Sequence, residues 1–144
     1  MKRRAFLAGI VGSASATLAG CSGILNTGRN NTQGDFDIGM ASTAFLPRKF
    51  ETTVGEPVVW KNTGARRHTV TAYGNGGIPD GAEYFASGGY DSEKAARDAW
   101  MSGSGGAIDQ NRTYEHTFEV PGSYSYFCVP HEASGMSGNI VVTE

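Results

Sequence analysis

Cysteine and histidine are both scarce in this chain of 144 residues, which holds two of the first and three of the second. Two cysteines, Cys21 and Cys128, cannot build a disulfide framework, and each sits in a context of its own that does not call for the other. Three histidines are too few for a multinuclear, histidine-rich centre. No apolar run reaches the ~20 residues that a membrane-spanning helix needs; the one candidate, Ala5 to Ala19, is about fifteen long. Basic residues are few as well. Without Lys2, Arg3 and Arg4, which belong to an export leader, nine basic residues face fourteen acidic ones, a net charge of −5. That balance argues against nucleic acid as a partner. Glycine is plentiful, at 21 residues about double its usual share, and suits many turns between short strands. The length allows one compact domain, with an all-β class as the expectation.

The chain divides by composition into three parts. Residues 1–20 read as an export signal, a basic KRR start followed by the short apolar run. Arg3 and Arg4 before Ala5, Phe6 and Leu7 resemble the twin-arginine signal R-R-x-F-L. Leu18 to Cys21, LAGC, resembles a lipobox, in which cleavage before Cys21 leaves that residue lipidated. One acyl chain binds a membrane only marginally, so two or more are implied. Residues 21–34 turn to Gly, Asn, Thr, Ser and Gln and read as a flexible tether. The folded domain is expected over 35–144.

Within that domain the apolar pattern has mostly a period of two. FDIGM and AFLPRKFETTV read as short strands, with Pro47 at an edge or bend. In GEPVVWKNTG, Val58 and Trp60 alternate with Val59 and Lys61, which places Trp60 in the core. In HTVTA, His68, Val70 and Ala72 share one strand face opposite Thr69 and Thr71. RTYEHTFEVPGSYSYFC reads as a hairpin turned at the PG pair, and NIVVTE as the closing strand. His116 falls on the apolar face of the hairpin and reads as an inward packing histidine rather than a ligand. Met40 and Met101 read as packing residues. The stretch 74–110 is loop-rich, with one short helix from about Ser92 to Met101, capped by Asp91 or Ser92, ended by Gly103, and docked through Ala95, Ala99 and Trp100.

The chemistry concentrates in FCVPHEASGM, Phe127 to Met136, where Cys128, His131 and Met136 follow the order C-x2-H-x4-M. A soft thiolate, an intermediate imidazole and a weak thioether together suit copper cycling between two oxidation states better than zinc or calcium. A second imidazole is needed, and His68 is the candidate. In GSYSYFC, Tyr124, Tyr126 and Cys128 share the inward face, while Ser123, Ser125 and Phe127 point the other way. Each of these ligand types taken singly has a plain structural explanation. Their joint occurrence at this spacing points to copper.

At these residues the chain resembles the plastocyanin-like blue copper proteins, and among them the halocyanins, the lipid-anchored archaeal members. AFLPRKFETTVGEPVVWKNTGARRHTV is similar to the first half of that family, and the PG turn with YSYFCVPHEASGMSGNIVV to its last hairpin and ligand loop. The resemblance implies a Greek-key β-sandwich of the cupredoxin type, here with a short helix in an inserted loop region. It also implies one mononuclear type 1 copper held by His68, Cys128, His131 and an axial Met136. The chain departs from the family pattern beside the upstream histidine. Arg67 and Thr69 stand where Pro and Asn are usual, and that Asn normally helps to hold the thiolate side of the site.

The function implied is one-electron transfer between membrane redox proteins, a donor and an acceptor, by a monomer lipid-anchored to the outer face of the cytoplasmic membrane. An apolar face of Val129, Pro130, Ala133 and Met136, joined by Phe45 and Leu46, would serve brief encounters around His131. The outward Phe127 would offer a second exit. Arg66 and Arg67, two cations beside His68, should favour the less positive, reduced form of the metal. Two other classes remain. A copper carrier would use the same soft ligands but keep them exposed and exchangeable, and an enzyme built on a Cys128 nucleophile with His131 as base would leave His68 and Met136 without a part.

Overall fold

The computed structural model describes residues 35–144. The export signal, the tether and Cys21 lie outside the described residues. Among the described residues, eight strands form two four-stranded sheets, joined face to face as a β-sandwich. The first sheet runs β2 (Phe45–Leu46), β1 (Ile38–Met40), β4 (Pro57–Asn62), β6 (Thr113–Thr117). The second runs β3 (Lys49–Thr53), β8 (Ser137–Thr143), β7 (Gly122–Phe127), β5 (Thr71–Ala72). β1 pairs with β4 and β3 with β8 in parallel, and the remaining neighbours are antiparallel. The two-residue period explains the layers. Val58, Trp60 and Asn62 of β4 are buried while their neighbours stay half exposed, and Gly138, Ile140 and Val142 do the same on β8.

Trp60 sits at the centre of the core, with no exposed surface. Tyr126 from the opposite sheet meets it edge-on at 5.5 Å, and Tyr114 and Phe85 close its flanks at 5.5 and 6.3 Å. His116 is placed as the pattern predicts. It lies parallel to Phe85 at 4.9 Å and edge-on to Phe118 at 4.7 Å, and it is held by rings rather than by a polar partner. Burial pushes its pKa down, against the pull of Glu83 and Glu119, so its face of the sheet remains uncharged.

The segment HTVTA differs from its expected form. Only Thr71–Ala72 joins a ladder; His68 makes an isolated two-way pair with Ile108, at 3.3 and 2.7 Å. The backbone of this segment pairs instead with the inserted region. Ala72 N–H donates to Phe85 C=O and Ser87 N–H to Val70 C=O, while Ser87 Oγ accepts from Val70 N–H at 3.1 Å. Covered on both sides, Thr69 and Thr71 are as buried as His68 and Val70. Ser87 Oγ also donates to Gly106 C=O, a contact so close that a Cβ at Gly106 would stand 2.6 Å from the Ser87 carbonyl oxygen. Only glycine fits there, all the more because φ is +84°.

The helix, α1, spans Glu93–Gly103. Ser92 is its N-cap and accepts from Ala95 N–H at 3.1 Å. The helix runs two residues beyond the predicted Met101, to Gly103, and its C-cap is Ser104, which takes the left-handed conformation in place of the predicted Gly103. Its buried residue is Ala96, while the predicted docking residues Ala95, Ala99 and Trp100 are half-buried, and Glu93 and Arg97 are held by polar partners. Met101, read from the sequence as a packing residue, is 80% exposed; it lies roughly 140° around the helix from Ala96.

Candidate metal centre

Cys128 follows directly on β7, at the end of the sandwich, and is fully buried. From it the chain turns through a 3-10 helix, Val129–Ser134, with Pro130 in the first turn. Four backbone hydrogen bonds close the loop: Cys128 N–H to Met136 C=O, His131 N–H to Cys128 C=O, Gly135 N–H to Glu132 C=O, and Met136 N–H to His131 C=O. The spacing C-x2-H-x4-M is therefore the length of one closed loop. Gly135, at φ +86°, makes its last turn. His68 arrives from the other side of the domain end, fixed by its pair with Ile108.

The structure brings three of the predicted ligands to one point. Nδ1 of His68 and Nδ1 of His131 stand 3.6 and 3.4 Å from Cys128 Sγ, and the ligating atoms of the three residues lie within 4.8 Å of one another. Bonds of about 2.0 Å to nitrogen and 2.3 Å to sulfur, set near 110° around one first-row ion, leave the two donors roughly 3.5 Å apart. The observed spacing fits a shared metal. No carboxylate joins the cluster, so its donors are soft and intermediate, unsuited to calcium or magnesium. Met136 is fully buried and belongs to the same core cluster as Cys128.

Burial sets the charge states. It pushes His68 down to about 4, with the neighbouring His131 and Arg66 adding to the effect. His131 is lowered too, by burial and by Arg66. Both rings are thus held neutral, the form that ligates a metal. The Cys128 thiol is pushed up by burial, opposed by hydrogen bonds from the surrounding chain. Its proton must leave when a metal binds.

Thr69 explains how the site manages without the Asn usual at this position. Its N–H donates to Cys128 Sγ at 3.4 Å, and its Oγ1 accepts from Val129 N–H at 2.8 Å. Thr71 Oγ1 in turn donates to Thr69 Oγ1 at 3.2 Å. One short side chain ties the strand of His68 to the residue after Cys128. The sequence marked the departure but not this compensation.

Three expectations change. Phe127 does not face outward: it is fully buried beneath Tyr73, stacked at 4.4 Å, and the Arg97 guanidinium at 4.3 Å. Phe45 and Met136 are buried and cannot belong to a surface patch, whereas Leu46 is 57% exposed. Arg67 pairs with Asp109 at 2.9 Å, both about 60% exposed, so its charge is offset and screened. Arg66 is the cation that acts on both histidines.

The family described as copper binding proteins, plastocyanin/azurin family, matches residues 32–143. The minor isoform of chloroplast plastocyanin from Arabidopsis thaliana is 35% identical over 103 residues, which cover 70% of this chain and 52% of that protein. Plastocyanin from Capsella bursa-pastoris is 31% identical over 106 residues, covering 72% of this chain and 92% of that one. Amicyanin from Paracoccus versutus has a similar structure, with a TM-score of 0.51 and 26% identity over 73% of this chain and 77% of its own. The chain spans about half the length of the Arabidopsis relatives it matches.

The Thr69 contacts generate a stability test. Thr69→Val keeps the shape but leaves the Val129 N–H without its acceptor, and should lower the unfolding free energy of the metal-free protein by about 1–3 kcal/mol, with Thr69→Ser largely sparing it. Chemical unfolding measures both. Equal stability of the valine variant would show that Thr69 does not tie the loop.

Proposed function

Because this chain belongs to the plastocyanin/azurin family of copper-binding proteins, we propose that it carries single electrons through one type 1 copper, which His68, Cys128 and His131 would hold strongly and Met136 weakly. The observation that carries this reading is the buried cluster of one sulfur and two imidazole nitrogens, without a carboxylate, at the end of a rigid sandwich. Bound there, copper supplies a one-electron couple, Cu(I)/Cu(II). Cys128 would ligate as the thiolate, with the Thr69 N–H donating to its sulfur. His68 and His131 offer neutral rings. Arg66 favours the less positive oxidation state and so raises the reduction potential. The two sheets and the closed loop hold these groups in one geometry, so little has to move when the charge changes.

His131 is half exposed and lies in the loop rather than in a strand, so the outer edge of its ring is the port for the electron. Val129, Pro130 and the exposed Ala133 surround it in sequence and offer a small apolar face to a partner. The Phe127 side is closed by Tyr73 and Arg97. A copper carrier would need ligands open to exchange, whereas His68, Cys128 and Met136 are fully buried. A catalytic role for Cys128 with His131 as its base would leave the buried His68 and Met136 without a part.

We further propose that the protein is exported, lipidated at Cys21 and held as a monomer on the outer face of the cytoplasmic membrane, as in the halocyanins. There it would serve a membrane redox donor and an acceptor. The basis is the leader, the LAGC motif and the polar tether.

Two experiments test these readings. Cys128→Ser should abolish the blue thiolate-to-copper absorption, while Met136→Leu should keep copper and shift the potential, since the axial bond tunes rather than holds. A serine variant that stayed blue would sink the ligand assignment. Cys21→Ser should move the protein from the membrane fraction to the soluble one; a wild-type protein already soluble after processing would refute the anchor.

A further inference from the structure

Arg97 of α1 touches the metal loop and the metal strand at once. Glu132, the residue after His131, receives its guanidinium in a fork: Nη1 donates to Oε1 at 2.7 Å and Nη2 to Oε2 at 3.2 Å. The face of the same guanidinium lies 4.3 Å over the ring of Phe127, the residue before Cys128. Tyr73 completes the group. Its ring stacks on Phe127, and its hydroxyl donates to Glu132 Oε2 at 2.8 Å. Behind Arg97, Glu93 Oε2 accepts from Nε at 2.8 Å, and Glu93 Oε1 accepts from Gly74 N–H at 2.8 Å, which ties the helix start to the chain just after β5.

This is not an ordinary surface ion pair. The side chains of Arg97 and Glu132 are about one-third exposed, at 35% and 33%, and their contact is two-pronged and shared with a tyrosine and a second carboxylate. Such geometry is preorganised, and it holds direction as well as distance. Besides the backbone bonds among its own residues, Cys128 to Met136, and the Thr69 contacts at its start, the loop is tied to the rest of the domain through Glu132. Arg97, with Tyr73 beside it, links the side chain of Glu132 to elements outside the loop, and Arg97 alone makes that link from the helix.

We propose that Arg97 is a positioning residue for the metal centre: the inserted helix uses its guanidinium to lock the His131 loop against the Phe127–Cys128 strand end. The proposal rests on the copper reading above and assigns a task to the 74–110 region. Fixed from outside the loop, His131 keeps its place relative to Cys128 whether or not a metal holds it.

The test begins with the metal-free full chain. Arg97→Gln should speed amide hydrogen exchange at His131, Gly135 and Met136 by roughly three- to tenfold and leave Ile140 of β8 unchanged. The same variant, loaded with copper, should lose Cu(I) to a chelator faster by a similar factor. Arg97→Lys should recover only part of the effect, since lysine supplies the charge without the fork. Exchanging the charges, Arg97→Glu with Glu132→Arg, should recover more than either single change. Loop exchange and copper loss both at the wild-type rate would overturn the proposal and leave Arg97 as a docking contact of the helix alone. Failure of the wild-type chain to turn blue with copper would instead refute the copper reading, and the metal-free exchange rates distinguish the two failures.

Discussion

Everything at this end of the molecule answers one constraint: a thiol and two imidazoles must share a dry space in which none of them can be charged cheaply. The ligating atoms lie within 4.8 Å of one another, His68 and Cys128 have no exposed surface, and both rings are pushed toward neutrality by burial and by Arg66. A protonated pair of histidines at this separation would repel, and a bare thiolate would lack water. A soft cation resolves both difficulties together. The sandwich supplies two rigid approaches to the same point, the loop after β7 and the paired segment at His68.

The inserted region serves that constraint from behind. Ser87, Ile108 and Phe85 take up the backbone groups of residues 68–72 that a longer strand would have satisfied, and so fix His68 without a regular ladder. Buried amides without such partners would destabilise the site by about 1–3 kcal/mol each. The helix of the same region reaches the other ligand segment through Arg97 and Glu132, and with Tyr73 covers Phe127. One insertion thus touches both arms of the site. The flank beside Cys128 is closed, and the His131 edge remains the open side.

The loop from Cys128 to Met136 was legible in the sequence because it is local: its closing hydrogen bonds run among its own nine residues, and two of the clustered side chains, Cys128 and His131, lie within it. Strand faces were legible for β4 and for β7 as far as Tyr126, where one side meets the core and period two is clean. Phe127 was misplaced for the same reason. Alternation tells which face a side chain takes, not what covers that face, and here Tyr73 and Arg97 cover it. The role of Thr69 was invisible because its partner Val129 is 60 residues away, and the Arg97–Glu132 pair joins α1 to the metal loop across 35 positions, which no local pattern reveals. Met101 failed as a packing residue because helix phase depends on the docked face, which polar contacts of Glu93 and Arg97 decided.

The central claim is that the fold itself, and not the metal, places the donors. Crystal structures of the chain without metal, with Cu(I) and with Cu(II) test it directly. The account predicts that the side chains of His68, Cys128 and His131 keep their positions to within about 0.5 Å across the three states, as a preorganised site requires. A metal-free structure in which the His131 loop opens away from Cys128, or a reduced form in which His131 turns out of reach of the sulfur, would contradict it.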